Sequence, residues 1–385
     1  MNYILFDEHR HHLLPLTYTR PVSEIRLGIL TITEKWQHML SSSFSFLTED
    51  YLSEKYPSKL TNDNLWINGS ICPDKSLVQA ITSLELDQCL KGKNSIIAYR
   101  SQSNSIPSKA IEYPHDFFQL KRLHEIFTFN EQFIHSDFKL LTNNRTSQPI
   151  STTNQLISPE GIFLEEGAVV EYATLNASYG PIYIGRGAEV MEGSMVRGSL
   201  AMCDHSVLKM GAKIYGATTL GPYCKVGGEV NNSVLLGYSN KGHDGFLGNS
   251  VIGEWCNLGA DSNNSNLKNN YANVKLWNYS LSSFEDTGLQ FCGLIMGDHS
   301  KCGINTMFNT GTVIGVSANI FGAGFPRQFI PSFSWGGASG YSTYQLNKSF
   351  EVAEKVMQRR AKKFNTMEQN QLKHVFELTK KYRNY

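Results

Sequence analysis

The chain has 385 residues, a formal net charge of +1 at pH 7 and 41% hydrophobic residues. That length accommodates two domains with separate cores, and a near-neutral charge without a polybasic run argues against nucleic acid or an anionic membrane as the main partner. No run of about 18 apolar residues suggests a membrane span. The opening MNYILFDEHR has too short an apolar run for a signal peptide, and seven scattered cysteines without a CxxC read as reduced core residues of a cytoplasmic protein.

Residues 1–155 mix strand-like pieces (Tyr3–Phe6, Leu65–Asn68, Ser95–Tyr99) with helix-like ones (Ser76–Leu84, Asp116–Phe127), which predicts an α/β domain around a mixed or parallel sheet. Behind the first strand comes Arg10-His11-His12-Leu13-Leu14-Pro15-Leu16-Thr17-Tyr18-Thr19-Arg20-Pro21, then Glu24-Ile25-Arg26-Leu27-Gly28 and Glu34-Lys35-Trp36. The Leu-Pro-Leu-Thr…Arg-Pro core resembles the sugar nucleotidyltransferases, in a variant form without their GxGTRM loop. The resemblance implies that Arg10, Arg20, Arg26 and Lys35 neutralise a nucleoside triphosphate while a sugar 1-phosphate oxygen attacks the α-phosphorus, with Mg²⁺ as cofactor. Such enzymes hold the metal with an Asp after Asn-Gly at a strand end, where this chain has Ile67-Asn68-Gly69-Ser70. A hydroxyl is a poor substitute for that carboxylate. Asp7, Asp74, Asp116 and Asp137 are possible stand-ins, and the metal ligands stay unassigned.

Thr142–Asn154 is polar, contains Pro149 and reads as a linker. From Ile184 an apolar residue recurs at every sixth position: Val190, Val196, Met202, Leu208, Ile214, Leu220 and Val226. A helix favours spacings near 3.6 and a lone strand a spacing of 2, so a period of six predicts a three-sided solenoid with one large aliphatic residue per face inside each coil. The rhythm returns around Leu247, Ile252 and Leu258, and again from Met296 to Ile320. The expected organisation is an α/β domain over 1–155, a left-handed parallel β-helix over 156–326 and a helical tail over 327–385.

Between Val226 and Phe246 the rhythm is interrupted by a polar turn containing Glu229, Asn231, Lys241 and His243, and the tract Asn257–Lys268 is rich in Asn and Ser. Such a tract stabilises a coil poorly but offers amides and hydroxyls to a polyhydroxylated ligand. Glu229, Gly242-His243, Phe246-Leu247-Gly248, Asn257-Leu258-Gly259-Ala260 and Ser265-Asn266 together resemble the acetyltransferase half of the bifunctional N-acetylglucosamine-1-phosphate uridyltransferase/glucosamine-1-phosphate acetyltransferase family. The resemblance implies His243 as general base on the sugar amine, Glu229 as the carboxylate that holds its tautomer, and Asn257, Asn266 and Phe246 around sugar and acyl donor. Taken alone, His243 is an exposed turn histidine; the matched framework favours catalysis. The family's phosphate-gripping lysine is replaced by Asn231 and its loop tyrosine by Leu267, which leaves Lys241 or Lys268 to supply a cation. A loop from Tyr271 to Leu289, with Trp277 and Phe284, either covers a site or is a plain insertion.

Leu346, Phe350, Ala353, Val356, Met357, Ala361 and Phe364 fall at helical spacing, and Thr366 with Gln369 reads as a capping box for a second helix. Arg359, Arg360, Lys362, Lys363, Lys380 and Lys381 read as a solvated basic face, with anion binding as the alternative. The resemblances imply a multifunctional transferase that acetylates glucosamine-1-phosphate from acetyl-CoA and transfers a uridylyl group, giving UDP-N-acetylglucosamine or a close sugar nucleotide, as a homotrimer. Two alternatives stand beside it: a sugar-1-phosphate nucleotidyltransferase of other specificity with the β-helix as oligomerisation scaffold, and a non-catalytic sugar-nucleotide-binding assembly protein.

Overall fold

The computed structural model describes residues 1–385. Contacts divide the chain into two compact units: Met1–Leu13, Thr19–Ile25 and Leu30–Arg122 form one, and Leu14–Tyr18, Arg26–Ile29 and Leu123–Tyr385 the other.

The first unit is built on six strands, β1 (Asn2–Phe6), β2 (Ser45–Leu47), β3 (Asn64–Asn68), β4 (Gln88–Lys91), β5 (Ile96–Ser101) and β6 (Lys109–Glu112), in the order β2-β1-β3-β5-β4-β6. The sheet is mixed, as expected: β1 runs parallel to β2 and β3, while β5 is antiparallel to β3 and β4. Helix α1 (Ile32–Leu40) starts at a capping box in which Thr31 accepts from the Glu34 amide and Glu34 from the Thr31 amide. Helix α2 (Lys75–Thr82) is capped by the Asp74 carboxylate on the Leu77 amide. The helix expected over Asp116–Phe127 does not form over its first part. There the backbone is committed to the end of β3 instead, with the Cys72 amide on the Phe118 carbonyl and the Leu120 amide on the Ser70 carbonyl.

In the second unit, helices α3 (Glu125–Thr128) and α4 (Asn130–Thr142) lead into the coil. Asn130 fixes α4 by three bonds: its amide donates to the Ala217 carbonyl, and its oxygen accepts from the Gly28 amide and the Thr219 hydroxyl. The left-handed parallel β-helix begins at Gln155–Ile157 and has faces of six, nine and nine parallel strands, the last extended by the antiparallel strand Gly340–Thr343. The hexad residues stack by face, Ile184 beside Met202 and Leu220, Val190 beside Leu208 and Val226, Val196 beside Ile214, one coil being 18 residues. All eight are essentially buried, so each coil contributes three aliphatic side chains to one continuous core.

The coil contracts after Leu220, where the register partners Leu220–Leu235 and Val226–Lys241 are only 15 residues apart. It is interrupted again between Asn263–Asn264 and its partner Met307–Phe308. The Tyr271–Leu289 loop is a hairpin, Lys275–Asn278 against Ser283–Asp286, and it packs onto its own coil through Trp277, stacked on Phe329 at 4.1 Å. Coil strands continue past Phe325, at Phe329–Ile330 and Ser334–Gly337, before helices α5 (Leu346–Gln358) and α6 (Thr366–Leu378). The cap of α6 is Asn365, which accepts from the Glu368 amide, rather than Thr366.

Candidate functional site

The contracted coil produces a cleft of about 630 Å³ on the second unit. His243 lies in the turn between the strands Asn240–Lys241 and Phe246–Gly248, and Asn257 on the next coil; both are exposed and both open into this cleft. Lys209, Lys225 and Lys301 line it from the coil, Arg359 and Arg360 from the end of α5. The basic face at Arg359 and Arg360 is therefore the wall of a cleft. Arg360 is anchored there by a hydrogen bond to the Asn240 side-chain oxygen at 3.3 Å, and its Nε is buried without a partner.

Electrostatically the cleft lacks counter-charge. Neither Lys209, Lys225, Arg359 nor Arg360 forms an ion pair. The Lys225 amine is held below its usual range by burial and then by Arg360, Lys209 and Arg359, and Glu189 offsets this only weakly. Burial brings the Lys301 amine down to about 8, and its Nζ donates to the His299 carbonyl. Cations gathered without acids repel one another, so the arrangement favours a bound polyanion.

One wall is aromatic. His205, Tyr223, Tyr238, Trp255 and His299 stack as a ladder with ring centroids 4.9, 5.3, 4.2 and 6.3 Å apart. Each occupies a corner of its coil in the left-handed region, with φ between 53° and 61°. Tyr238 and Trp255 face the cleft. The first four rungs, His205 to Trp255, are written in the sequence at steps of 18, 15 and 17 residues, which tracks the same contraction as the core, and His299 follows 44 residues on, after the hairpin.

Other expected residues lie elsewhere. Lys241 occupies the inward position between Val226 and Leu258, is 2% exposed, and donates to the carbonyls of Gly227 and His243. Burial lowers its amine to about 8. It braces the His243 turn from inside the coil, and counting back six residues from Leu247 reaches this inward position. The Glu229 carboxylate is engaged by the Tyr215 hydroxyl at 2.6 Å and makes no hydrogen bond to His243. Asn266 donates to the Asn249 side-chain oxygen, and the Phe246 amide donates to Asn263; neither residue lines the cleft. Lys268 donates to the Asn273 carbonyl in its own loop.

In the first unit, Arg10 pairs with Asp7 at 3.3 Å and Glu49 at 3.3 Å and lies over Tyr51. Arg20 and Lys35 are each 3% exposed. Arg26 belongs to the second unit, is buried, and donates to the Ile29 carbonyl. Three of the four cations expected on phosphate, Arg20, Arg26 and Lys35, are thus interior.

The position expected to hold Mg²⁺ does not suit that ion. Ser70 is buried, with its hydroxyl donating to Asn68 and accepting from the Gln119 amide. The substitute carboxylates are committed: Asp7 accepts from the Val22 amide and Thr48, Asp74 caps α2, and Asp137 accepts from the Ile29 amide. Asp116 is exposed, outside this network. Mg²⁺ needs several free, hard oxygen donors, and these groups do not supply them.

No curated protein matches the chain in sequence. Among solved structures, it is similar to the UDP-N-acetylglucosamine acyltransferase of Arabidopsis (14% identity, 62% of this chain and 85% of that chain, TM-score 0.25). The Campylobacter jejuni UDP-N-acetylglucosamine acyltransferase is also similar (12%, 61% and 83%, TM-score 0.26). So is AntD, an N-acyltransferase from Bacillus cereus solved with dTDP and 3-hydroxybutyryl-CoA (11%, 55% and 87%, TM-score 0.22). At these levels the likenesses carry no argument about substrate. No helix is long and apolar enough to cross a membrane. Residues 3–146 match the family model described as sugar nucleotidyl transferase, which marks the chain as a transferase.

Proposed function

We propose that the second unit transfers an acyl group from acyl-CoA to the amino group of a sugar phosphate. The carrying observation is that His243 and Asn257 open into one cleft walled by five cations and two stacked aromatic rings. In this reading the amine attacks the thioester carbonyl and His243 takes the proton the amine loses. The carbon–sulfur bond breaks, and the thiolate leaves and is protonated as CoA. A neutral imidazole suits that proton transfer near pH 7. Asn257 orients the sugar, and Lys209, Lys225, Arg359 and Arg360 hold phosphate groups. Acetyl-CoA and glucosamine-1-phosphate are the specific substrates proposed. The test follows CoA release with glucosamine-1-phosphate, glucosamine and glucosamine-6-phosphate as acceptors. Release with the 1-phosphate and little with free glucosamine supports the reading; no CoA release with any amino sugar phosphate removes it.

The match over residues 3–146 favours a second reading, nucleotidyl transfer to the sugar 1-phosphate in the first unit, with uridylyl as the group proposed. Pyrophosphate release from UTP with N-acetylglucosamine-1-phosphate tests it. The Asn68–Ser70 region does not suit Mg²⁺.

A further inference from the structure

Directly behind β1 the loop carries His9, His11 and His12, and one ring nitrogen of each lies within 4.8 Å of the other two. The His11 and His12 rings are 4.3 Å apart, those of His9 and His12 5.8 Å, those of His9 and His11 6.3 Å. The place is informative. Strand β1 lies between β2 and β3, so the chain leaves it to one side and returns on the other, and open α/β sheets bind ligands in the crevice beyond the carboxyl ends of such strands. A polar chain joins the histidines to the end of β3. Glu8 is 3.7 Å from the His9 Nε2, and its carboxylate accepts from the Asn68 amide and, at 3.4 Å, from the Gln119 amide.

We propose that His9, His11 and His12 form a site for a late first-row divalent ion of the Zn²⁺ class at the carboxyl end of β1. Three imidazoles are borderline-soft nitrogen donors, suited to Zn²⁺, Co²⁺ or Ni²⁺ and ill suited to Mg²⁺. Zn–N bonds of about 2.0–2.1 Å put ligand nitrogens roughly 3.4 Å apart in a tetrahedral site, so small ring rotations complete the triad and leave a fourth position open. Glu8 is placed to orient His9 as metal-bound histidines are commonly oriented, by a carboxylate. All of these groups lie in the first unit, apart from the coil and its acyl-transfer cleft.

The experiment uses the 385-residue chain, stripped with a chelator and dialysed. Zn²⁺ is titrated calorimetrically, and Co²⁺ is added separately while its visible absorption is read. The expected result is one Zn²⁺ per chain with Kd of about 10 μM or tighter, intense tetrahedral Co²⁺ bands, and no competition from millimolar Mg²⁺. His11→Ala with His12→Ala should weaken binding at least about 100-fold and abolish the Co²⁺ bands, while Glu8→Gln weakens it about 10-fold. Circular dichroism of the metal-free variants confirms that they fold. Unchanged Zn²⁺ binding in the double variant, or wild-type Kd weaker than about 100 μM, overturns the proposal.

Discussion

The buried Lys241 ammonium donates to the His243 carbonyl two residues on, and at 3.0 Å to the Gly227 carbonyl on the preceding coil. The turn that presents the imidazole is therefore held from inside the coil by a charge sitting where an aliphatic residue belongs. Lys241→Met fills the position but frees both carbonyls. It should lower kcat for acyl transfer about 10-fold with KM little changed, because a displaced base loses rate before binding.

The same lysine sets a pH dependence. Its folded pKa of about 8 lies below the usual 10.5, so the folded chain sheds this proton first. Between pH 8 and 10.5 the unfolded chain binds more protons, and stability rises with pH; below pH 8 the cost of the buried charge is full and constant. Relative to Lys241→Met, the wild type should gain on the order of 2 kcal/mol between pH 7.5 and 10.5 in urea-unfolding titrations.

Arg359 and Arg360 join α5 to the cleft wall. Alanine at both should raise KM for the acyl donor about 10-fold, with kcat within about threefold of wild type and a flatter dependence on salt. Steady-state kinetics at two ionic strengths check this.

Glu229 is bonded to Tyr215, not to His243. Glu229→Gln and Tyr215→Phe should each cost about 1 kcal/mol of stability and leave the pH profile of acyl transfer where the wild type has it. Chemical denaturation and kcat/KM against pH are the measurements.

The coil is tight where glycine follows the aliphatic residue. A Cβ at Gly221 would lie 1.9 Å from the Leu236 carbonyl oxygen, in backbone that cannot turn aside. Gly221→Ala should destabilise by about 3 kcal/mol, lowering the thermal midpoint by roughly 6–12 °C.

The period of six made the coil legible because each inward residue must be large and apolar, and eight consecutive hexads from Ile184 to Val226 satisfy that rule. The same period marks Lys241 as inward, six residues before Leu247, although its residue type is that of a ligand cation. His243 and Asn257 were readable as neighbours because one coil separates them. The contribution of Arg359 and Arg360 was not, since no spacing in α5 says which surface its end meets. In the first unit the strands were evident, whereas Arg20 and Lys35 there, and Arg26 in the second unit, look like surface cations in sequence and are buried in the fold.

The most direct measurement compares wild type and His243→Ala for CoA release from acetyl-CoA with glucosamine-1-phosphate, alongside a circular dichroism melt. His243→Ala should lose at least 100-fold in CoA release with the melt unchanged. Acyl transfer within about threefold of wild type in a folded His243→Ala protein would contradict His243 as the general base.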